Sequence, residues 1–291
     1  MIAILLKKKL RTLLEENEKT SAAFETEQIM KWAAGYDRLT DGPHSEIEDE
    51  KAEMAMNAAK RRAKGEPLQY IIGEWDFYGL TFKVGEGVLI PRPETELLTE
   101  KALNCLEELR KRSGEKGKVI DLCSGSGCIP IAIAKCSEAL CSGVEISGEA
   151  LSYFRENIAL HKAEDRVTAL QGDVLNPDGK LLEQLPEKCD IITANPPYLT
   201  VREMENLQEE VRHEPEIALF GGKDGLDFYR VIFGKWKNKL SENGEFIVET
   251  GDGQAETVKS LMEQEGFTCG IIRDYNKIGR LVYGTPNTDP L

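Results

Sequence analysis

No apolar stretch in this sequence approaches the roughly 20 residues that a membrane span requires, so no membrane role is expected. The apolar start Met1–Leu6 is followed, not preceded, by Lys7, Lys8 and Lys9. A secretory signal has the opposite order, and the expected location is the cytoplasm. Histidine is scarce, with 3 in 291 residues, and none of the seven cysteines (105, 123, 128, 136, 141, 189 and 269) forms a C-x-x-C pair. That set offers no zinc framework, and no metal is expected. An odd number of cysteines, several in apolar contexts, fits small core residues in a reducing compartment. An excess of positive charge is also missing, since 37 Lys and Arg face 51 Asp and Glu for a net charge of −14. Duplex binding depends on clustered cations that displace counterions from phosphates, so the balance weighs against a nucleic-acid partner. Lys7-Lys8-Lys9 and Lys60-Arg61-Arg62 are short and suit solvated helix faces. Internal repeats and low-complexity tracts are absent.

What is present is an ordinary globular composition, 41% hydrophobic and 30% charged, in a length that suits one large or two ordinary domains. Residues 1–66 are rich in Ala, Glu, Lys, Leu and Met, and proline occurs there only at Pro43, so they are predicted to be helical. Thr26 with Gln28 and Ile29 resembles a helix start, and Asp41-Gly42-Pro43 a break. Ala52–Lys64 is a strong helical run with Gly65 placed to close it. Residues 67–88 form the expected linker. Gln69–Val84 within them is aromatic and β-branched with glycine turns, which predicts a β-hairpin. Residues 89–291 then make the second domain. Pro93 with Glu94 and Glu96 suits the first turn of a helix.

From Val119 onward, predicted strands and helices alternate, which implies a mostly parallel sheet with helices on both faces. The strands are Lys118–Asp121, Leu140–Val144, Val167–Leu170, Asp190–Ala194, Phe246–Thr250, Thr268–Asp274 and Arg280–Gly284. The close pairing of the last two predicts one antiparallel strand at an edge. The tail Thr285–Leu291, with two prolines, is expected to lack structure.

Four residues stand out. Asn195-Pro196-Pro197-Tyr198 follow the apolar run Ile191–Ala194. Two prolines end the strand and fix the backbone just past its C-terminal end, the edge at which open α/β sheets bind ligands. The proline carbonyls and the Asn195 side chain supply acceptors, and Tyr198 supplies a flat face. Such a site suits a planar –NH2 group. A plain strand-terminating turn would use the same residues.

Three further features fall at neighbouring strand ends. Asp121-Leu122-Cys123-Ser124-Gly125-Ser126-Gly127 joins the first strand to its helix, where glycines let a ligand approach the backbone. The dinucleotide fingerprint G-x-G-x-x-G is broken by Pro130 at its third glycine, which separates the loop from the NAD pattern. Glu145 ends the second strand, where it can accept from two ribose hydroxyls. Gly172-Asp173-Val174 ends the third, where an adenine ring would meet apolar surface and a carboxylate. Each is weak alone, since strand-end acids are common caps.

The loop, Glu145, Asp173 and the proline tetrad together resemble class I S-adenosylmethionine-dependent methyltransferases that act on amino groups. Gly65–Tyr70, Ile90–Glu96, Val211-Arg212-His213-Glu214-Pro215 and Arg273-Asp274-Tyr275 narrow the resemblance to the protein-(glutamine-N5) methyltransferases of peptide chain release factors. The resemblance covers residues from about 65 to the end. It implies a Rossmann-like seven-stranded, mostly parallel sheet with a small helical N-terminal domain that docks the protein substrate. It implies S-adenosylmethionine as cofactor, S-adenosylhomocysteine as product, and release factors as partners of a monomeric enzyme. Cofactor contacts then fall on Asp121, Cys123, Ser124, Gly125, Ser126, Gly127, Glu145, Asp173, Val174 and Asn195. Substrate contacts fall on Asn195, Pro196, Pro197 and Tyr198, with Asn195, Pro196 and Tyr198 catalytic. Cys123 departs from the family loop, which has glycine there; a positive φ at that residue would cost roughly 1 kcal/mol or more.

An amide nitrogen is a poor nucleophile because its lone pair is delocalised. Acceptors on its N–H bonds, the Asn195 side chain and the Pro196 carbonyl, would hold it in line and favour pyramidalisation. Its proton becomes acidic only after transfer, so no strong base is needed. Adenine-N6 DNA methyltransferases carry the same tetrad and flip their base. The acidic balance and the lack of a target-recognition domain disfavour that activity. Glutamine methylation of a ribosomal protein, a catalytically silent adaptor and an NAD-linked oxidoreductase are the remaining competing functions.

Overall fold

The computed structural model describes residues 1–15, 21–37 and 39–287, which fall into two compact units. The first unit holds Met1–Glu74 with Gln208–His213. The second holds the other described residues.

In the first unit, α1 (Ala3–Glu15), α2 (Ala22–Ala34) and α3 (Asp49–Ala63) are followed by the single-turn α4 (Leu68–Ile72). Ala3, Leu6, Leu10 and Leu14 recur at helical spacing and bury one face of α1 against Ile29 and Met30 of α2 and the alanines of α3. Asp49 and Glu50 open α3, and Lys60, Arg61 and Arg62 close it, each sign opposing the helix dipole. Gly65 follows at φ +93°, as its sequence position predicts. The predicted start of α2 needs correction. Thr26 is a fully buried interior residue whose hydroxyl donates to the Ala22 carbonyl at 2.6 Å. Burial on the core face outweighs its capping preference. Arg62, also buried, pairs with Glu25 at 3.0 Å and with Glu210 from the Gln208–His213 segment. Burial raises the Glu25 carboxyl against the pull of Arg62.

The predicted hairpin begins later than residue 69. Gln69–Ile72 lie in α4, closed by Gly73 at φ +84°, because Leu68 and Ile71 pack into the helical core. Tertiary packing thus overrides the β propensity of the Tyr70-Ile71-Ile72 run. The hairpin itself is β1 (Glu74–Phe77) and β2 (Leu80–Lys83). Tyr78 and Gly79, both at positive φ, make its two-residue turn.

The second unit runs through a short 3-10 turn at Pro93–Thr95 into α5 (Glu96–Ser113). There follow β3 (Lys118–Leu122), α6 (Cys128–Cys136), β4 (Leu140–Glu145), α7 (Gly148–Leu160), β5 (Val167–Gln171) and α8 (Gly179–Gln184). The chain continues with β6 (Cys189–Ala194), α9 (Val201–Glu205), α10 (Asp227–Lys235) and β7 (Leu240–Glu249). It ends with α11 (Ala255–Gln264), β8 (Phe267–Arg273) and β9 (Gly279–Pro286). Thr285 and Pro286 therefore belong to a strand and not to a loose tail; residues 288–291 lie outside the described residues.

The larger sheet has seven strands in the order β5-β4-β3-β6-β7-β9-β8. β3 to β7 are parallel, and β9 is antiparallel to both β7 and β8. The antiparallel strand is therefore interior, not at an edge as the short β8–β9 connection suggested. The tight turn returns β9 along β8, and β9 inserts between β8 and β7. Both faces of the sheet are covered. Val119, Ile191 and Ile247 point to one side, where α5, α6 and α7 pack. Their chain neighbours Ile120, Ile192 and Phe246 point to the other, against α8, α10 and α11. This period-2 burial on both faces explains the continuous apolar runs.

Candidate active site

A cavity of about 580 Å³ lies at the C-terminal ends of β3, β4, β5 and β6. The strand order reverses between β3 and β6, so this is the switch point at which open α/β sheets take ligands. Its walls include Cys123, Ser124, Gly125 and Ser126 after β3, Glu145 at the end of β4, Asp173 and Val174 after β5, and Asn195 and Pro197 after β6. Val88, Leu89, Arg92 and Thr95 close it on one side, and Pro215, Ile217, Phe220 and Phe228 on another. Nine of the residues expected at the site are thus brought together.

Four expected residues lie elsewhere. Asp121 is fully buried beneath the loop, its carboxylate accepting from Thr193 Oγ1 at 2.6 Å across the β3–β6 pair. Burial pushes that carboxyl up to about 7. Gly127, at φ +78°, faces the core instead of the cavity, and a Cβ there would stand 1.9 Å from the Phe154 ring. Its glycine requirement is one of packing, where Phe154 of α7 presses on the loop. Pro196 is buried just beyond the end of β6. Tyr198 packs against the core behind the cavity, and a Cβ on Gly251 would come within 2.9 Å of its ring. Burial pushes its phenol up to about 12, so the ring stays neutral.

The loop itself is tightly held. Cys123 has φ +60°, so the chain bears the strain that the glycine-to-cysteine departure raised. Burial, with Glu145 and Asp121 nearby, drives the Cys123 thiol well above its ordinary range. That excludes a thiolate nucleophile. Gly125, at φ +54°, receives no close neighbour: a Cβ there would find only Val88 at 4.0 Å. Its amide donates to Glu145 Oε2 at 2.8 Å, while Glu145 Oε1 accepts from the Ser147 amide at 2.8 Å. Both carboxylate oxygens are oriented by the backbone, and each keeps a further lone pair. Burial raises this carboxyl, and these amides oppose the rise. Asp173 accepts from the Leu175 amide at 2.8 Å and from the Asn176 side chain at 3.1 Å, which fixes its carboxylate at the cavity wall.

Asn195 is placed by a residue that the sequence pattern did not single out. Its Nδ2 donates to Thr95 Oγ1 at 3.1 Å, in the turn before α5. The side-chain oxygen of Asn195 is left as the free acceptor of the amide. Asn157 of α7 was also missed. It is fully buried, donates to the carbonyls of Ser126 and Lys83, and accepts the Lys83 amide, so it ties the glycine loop to β2. A polar residue at a core position of an amphipathic helix was the available signal. Glu214, in the Val211–Pro215 segment, has a buried carboxylate that binds the Ile90 amide and Arg92.

An open α/β sheet with a glycine loop, strand-end carboxylates and a proline-stopped asparagine at its switch point defines a methyltransferase of the S-adenosylmethionine-dependent fold class. Residues 98–217 match the TRM5/TYW2 methyltransferase domain, and residues 6–73 match the PrmC N-terminal domain. The chain is 40% identical over 282 residues to the release factor glutamine methyltransferase of Geobacter sulfurreducens, across 94% of this chain and 93% of that protein. It is 42% identical over 246 residues to that of Thermodesulfovibrio yellowstonii, across 84% of each. The chain belongs to the release factor glutamine methyltransferase family. Among solved structures, the hMettl16 catalytic domain in complex with a MAT2A 3′UTR hairpin superposes with a TM-score of 0.56 at 14% identity, covering 94% of this chain and 93% of that one. A methyltransferase from Pyrococcus furiosus gives 0.51 at 15% identity, covering 72% and 91%. At these identities the two structures speak to the fold alone. Among the described residues, no helix is long and apolar enough to cross a membrane, and no group of metal-ligating side chains converges.

Proposed function

We propose that this protein transfers a methyl group from S-adenosylmethionine to the side-chain amide nitrogen of a glutamine in a peptide chain release factor. The observation that carries the reading is the Asn195 amide. It is anchored through Nδ2 to Thr95 and lines a cavity of a size typical for small-molecule sites, with its oxygen unclaimed. An acceptor fixed at the end of a proline-stopped strand matches the N–H of a carboxamide.

The cavity suits the cofactor on its own terms. Gly125 leaves open the space that a side chain would fill, Val88, Leu89 and Val174 offer apolar walls, and the Glu145 and Asp173 carboxylates present oriented acceptors to hydroxyl and amino groups. When bound, S-adenosylmethionine supplies an electrophilic methyl group on a sulfonium. Asn195 Oδ1 would accept one amide N–H and draw the nitrogen out of conjugation. Transfer would leave the donor as a neutral thioether and the nitrogen cationic, and Asn195 Oδ1 would hold the N–H whose proton then passes to water. The helical first unit would dock the protein substrate, which frees the cavity from providing all the specificity.

The test is incubation with methyl-labelled S-adenosylmethionine and purified release factors, followed by mass-spectrometric mapping. Label on one glutamine side chain is expected. Label on nucleic acid or on a ribosomal protein, or none on glutamine, would overturn the reading. Asn195→Ala should lower kcat by about 100-fold, with cofactor affinity little changed.

A further inference from the structure

We propose that Gln254 is a positioning residue for methyl transfer, acting by pinning the far end of the proline tetrad that carries Asn195. The inference rests on the reading of Asn195 as the acceptor for the substrate amide. A backbone is ordinarily fixed through its own N–H groups, and Pro196 and Pro197 have none. Their rings also lock φ, so residues 195–198 behave as a stiff rod. A rod without donors in its middle has to be located by its ends.

The near end is set by the sheet. Ala194 pairs with Leu122 of β3 and with Val248 of β7, and Asn195 Nδ2 donates to Thr95 Oγ1 at 3.1 Å. The far end lies beyond the strand and is held by a side chain. The Tyr198 carbonyl accepts from Gln254 Nε2 at 3.0 Å. Gln254 Oε1 accepts the Gly251 amide at 3.0 Å. A backbone N–H can only donate and a carbonyl can only accept, so these two partners fix which way the Gln254 amide points. Gln254 immediately precedes α11, where its ordinary role would be to cap that helix. Its side chain makes no capping bond there, and both of its polar atoms go to Gly251 and Tyr198.

Two glycines complete the clasp. Leu199 donates to the Leu219 carbonyl at 2.8 Å and accepts the Gly221 amide at 2.9 Å, a single parallel bridge just past the tetrad. A Cβ on Gly221 would stand 2.6 Å from the Pro197 carbonyl oxygen, and one on Gly225 would run into the Tyr198 carbonyl oxygen. The 221–225 turn therefore packs directly against the tetrad backbone, an approach that only glycine permits. Gln254, Gly221 and Gly225 are not among the walls of the cavity. They act on it through the tetrad. Without the Gln254 bond the rod can tilt about the end of β6, carrying the Asn195 acceptor and the cavity-lining Pro197 out of line.

The experiment measures single-turnover methyl transfer to a purified release factor at saturating S-adenosylmethionine. It compares wild type with Gln254→Glu, Gln254→Met, Gly221→Ala and Asn195→Ala, and calorimetric titration gives the cofactor affinity of each. Gln254→Glu keeps the acceptor for Gly251 and loses only the N–H to Tyr198, whereas Gln254→Met loses both bonds. Both should lose about 10-fold or more in rate, while the cofactor Kd stays within about threefold of wild type. Gly221→Ala pushes on the Pro197 carbonyl without altering Gln254 and should show the same split. A role confined to supporting the 251–254 turn would leave Gln254→Glu at the wild-type rate, and that result overturns the proposal. So does a loss of cofactor affinity as large as the loss of rate. Should the Gln254 variants not fold, a wild-type rate in Gly221→Ala overturns it instead. Wild-type turnover in Asn195→Ala, with Gln254→Glu slow, means that the reading of Asn195 has failed.

Discussion

The Glu214 carboxylate accepts the Ile90 amide at 3.0 Å and pairs with the Arg92 guanidinium, joining two segments more than 120 positions apart at one rim of the cavity. Neither bond belongs to a strand or a helix. The Glu214 side chain thus ties down the start of the loop that carries Arg92 and Thr95, and the energetics of its two bonds differ. The Ile90 amide is buried and would be left without an acceptor, whereas Arg92 is about a third exposed and can rehydrate. Glu214→Ala should cost about 2 kcal/mol, most of it from the orphaned amide. Glu214→Gln keeps an acceptor for Ile90 and should cost about 1 kcal/mol or less. Urea unfolding of the two variants beside wild type checks the order. Equal losses would mean that the Arg92 charge pair, not the amide bond, holds the rim.

Cys123 stands at φ +60° in the glycine loop, a conformation that a β-carbon disfavours by about 1 kcal/mol or more. Cys123→Gly relieves that strain but loosens the unfolded chain by roughly 0.5–1 kcal/mol. The two effects nearly cancel, so its stability should stay within about 1 kcal/mol of wild type. Cys123→Val keeps the strain and adds a branch at the cavity wall, where a positive φ is an outlier. It should lower both stability and S-adenosylmethionine affinity, the latter by about 10-fold or more. Calorimetric titration of both variants decides the matter. Unchanged affinity in Cys123→Val would remove Cys123 from the cofactor wall.

The alternation of apolar runs with turn residues made the seven strands legible in the sequence, because both faces of each strand are buried and the runs are continuous. The strand-end cluster was legible for the same reason: Glu145, Asp173 and Asn195 each follow a recognisable strand. Three things were not. The strand order that places β9 inside the sheet depends on which edge β8 and β9 reach, and the local residues do not encode that choice. The Tyr70-Ile71-Ile72 run has β character, but Leu68 and Ile71 complete a helical core that only the folded unit reveals. Thr95 looks like an ordinary first-turn residue. Its bond to Asn195 spans the chain, and nothing short of the fold brings the two together.

Asp121 gives the fold itself a pH dependence that separates from catalysis. Its carboxyl moves from an ordinary 3.8 to about 7 on burial, with the Thr193 hydroxyl opposing the rise. Between these values the folded chain binds a proton that the unfolded chain has released. Stability conferred through this group is therefore greatest below about pH 4 and falls as pH rises towards 7, with no further change above. Asp121→Asn keeps an acceptor for Thr193 and cannot ionise. The difference in unfolding free energy between wild type and Asp121→Asn should therefore shift against wild type by on the order of 2 kcal/mol or more from about pH 4.5 to about pH 8. Glu249, also raised by burial, titrates in the same direction but is present in both proteins, so it cancels in the difference. Urea unfolding at about pH 4.5, 6 and 8 measures it. Parallel stability curves for the two proteins would show that Asp121 is ionised throughout, held charged by Thr193 and the loop above it.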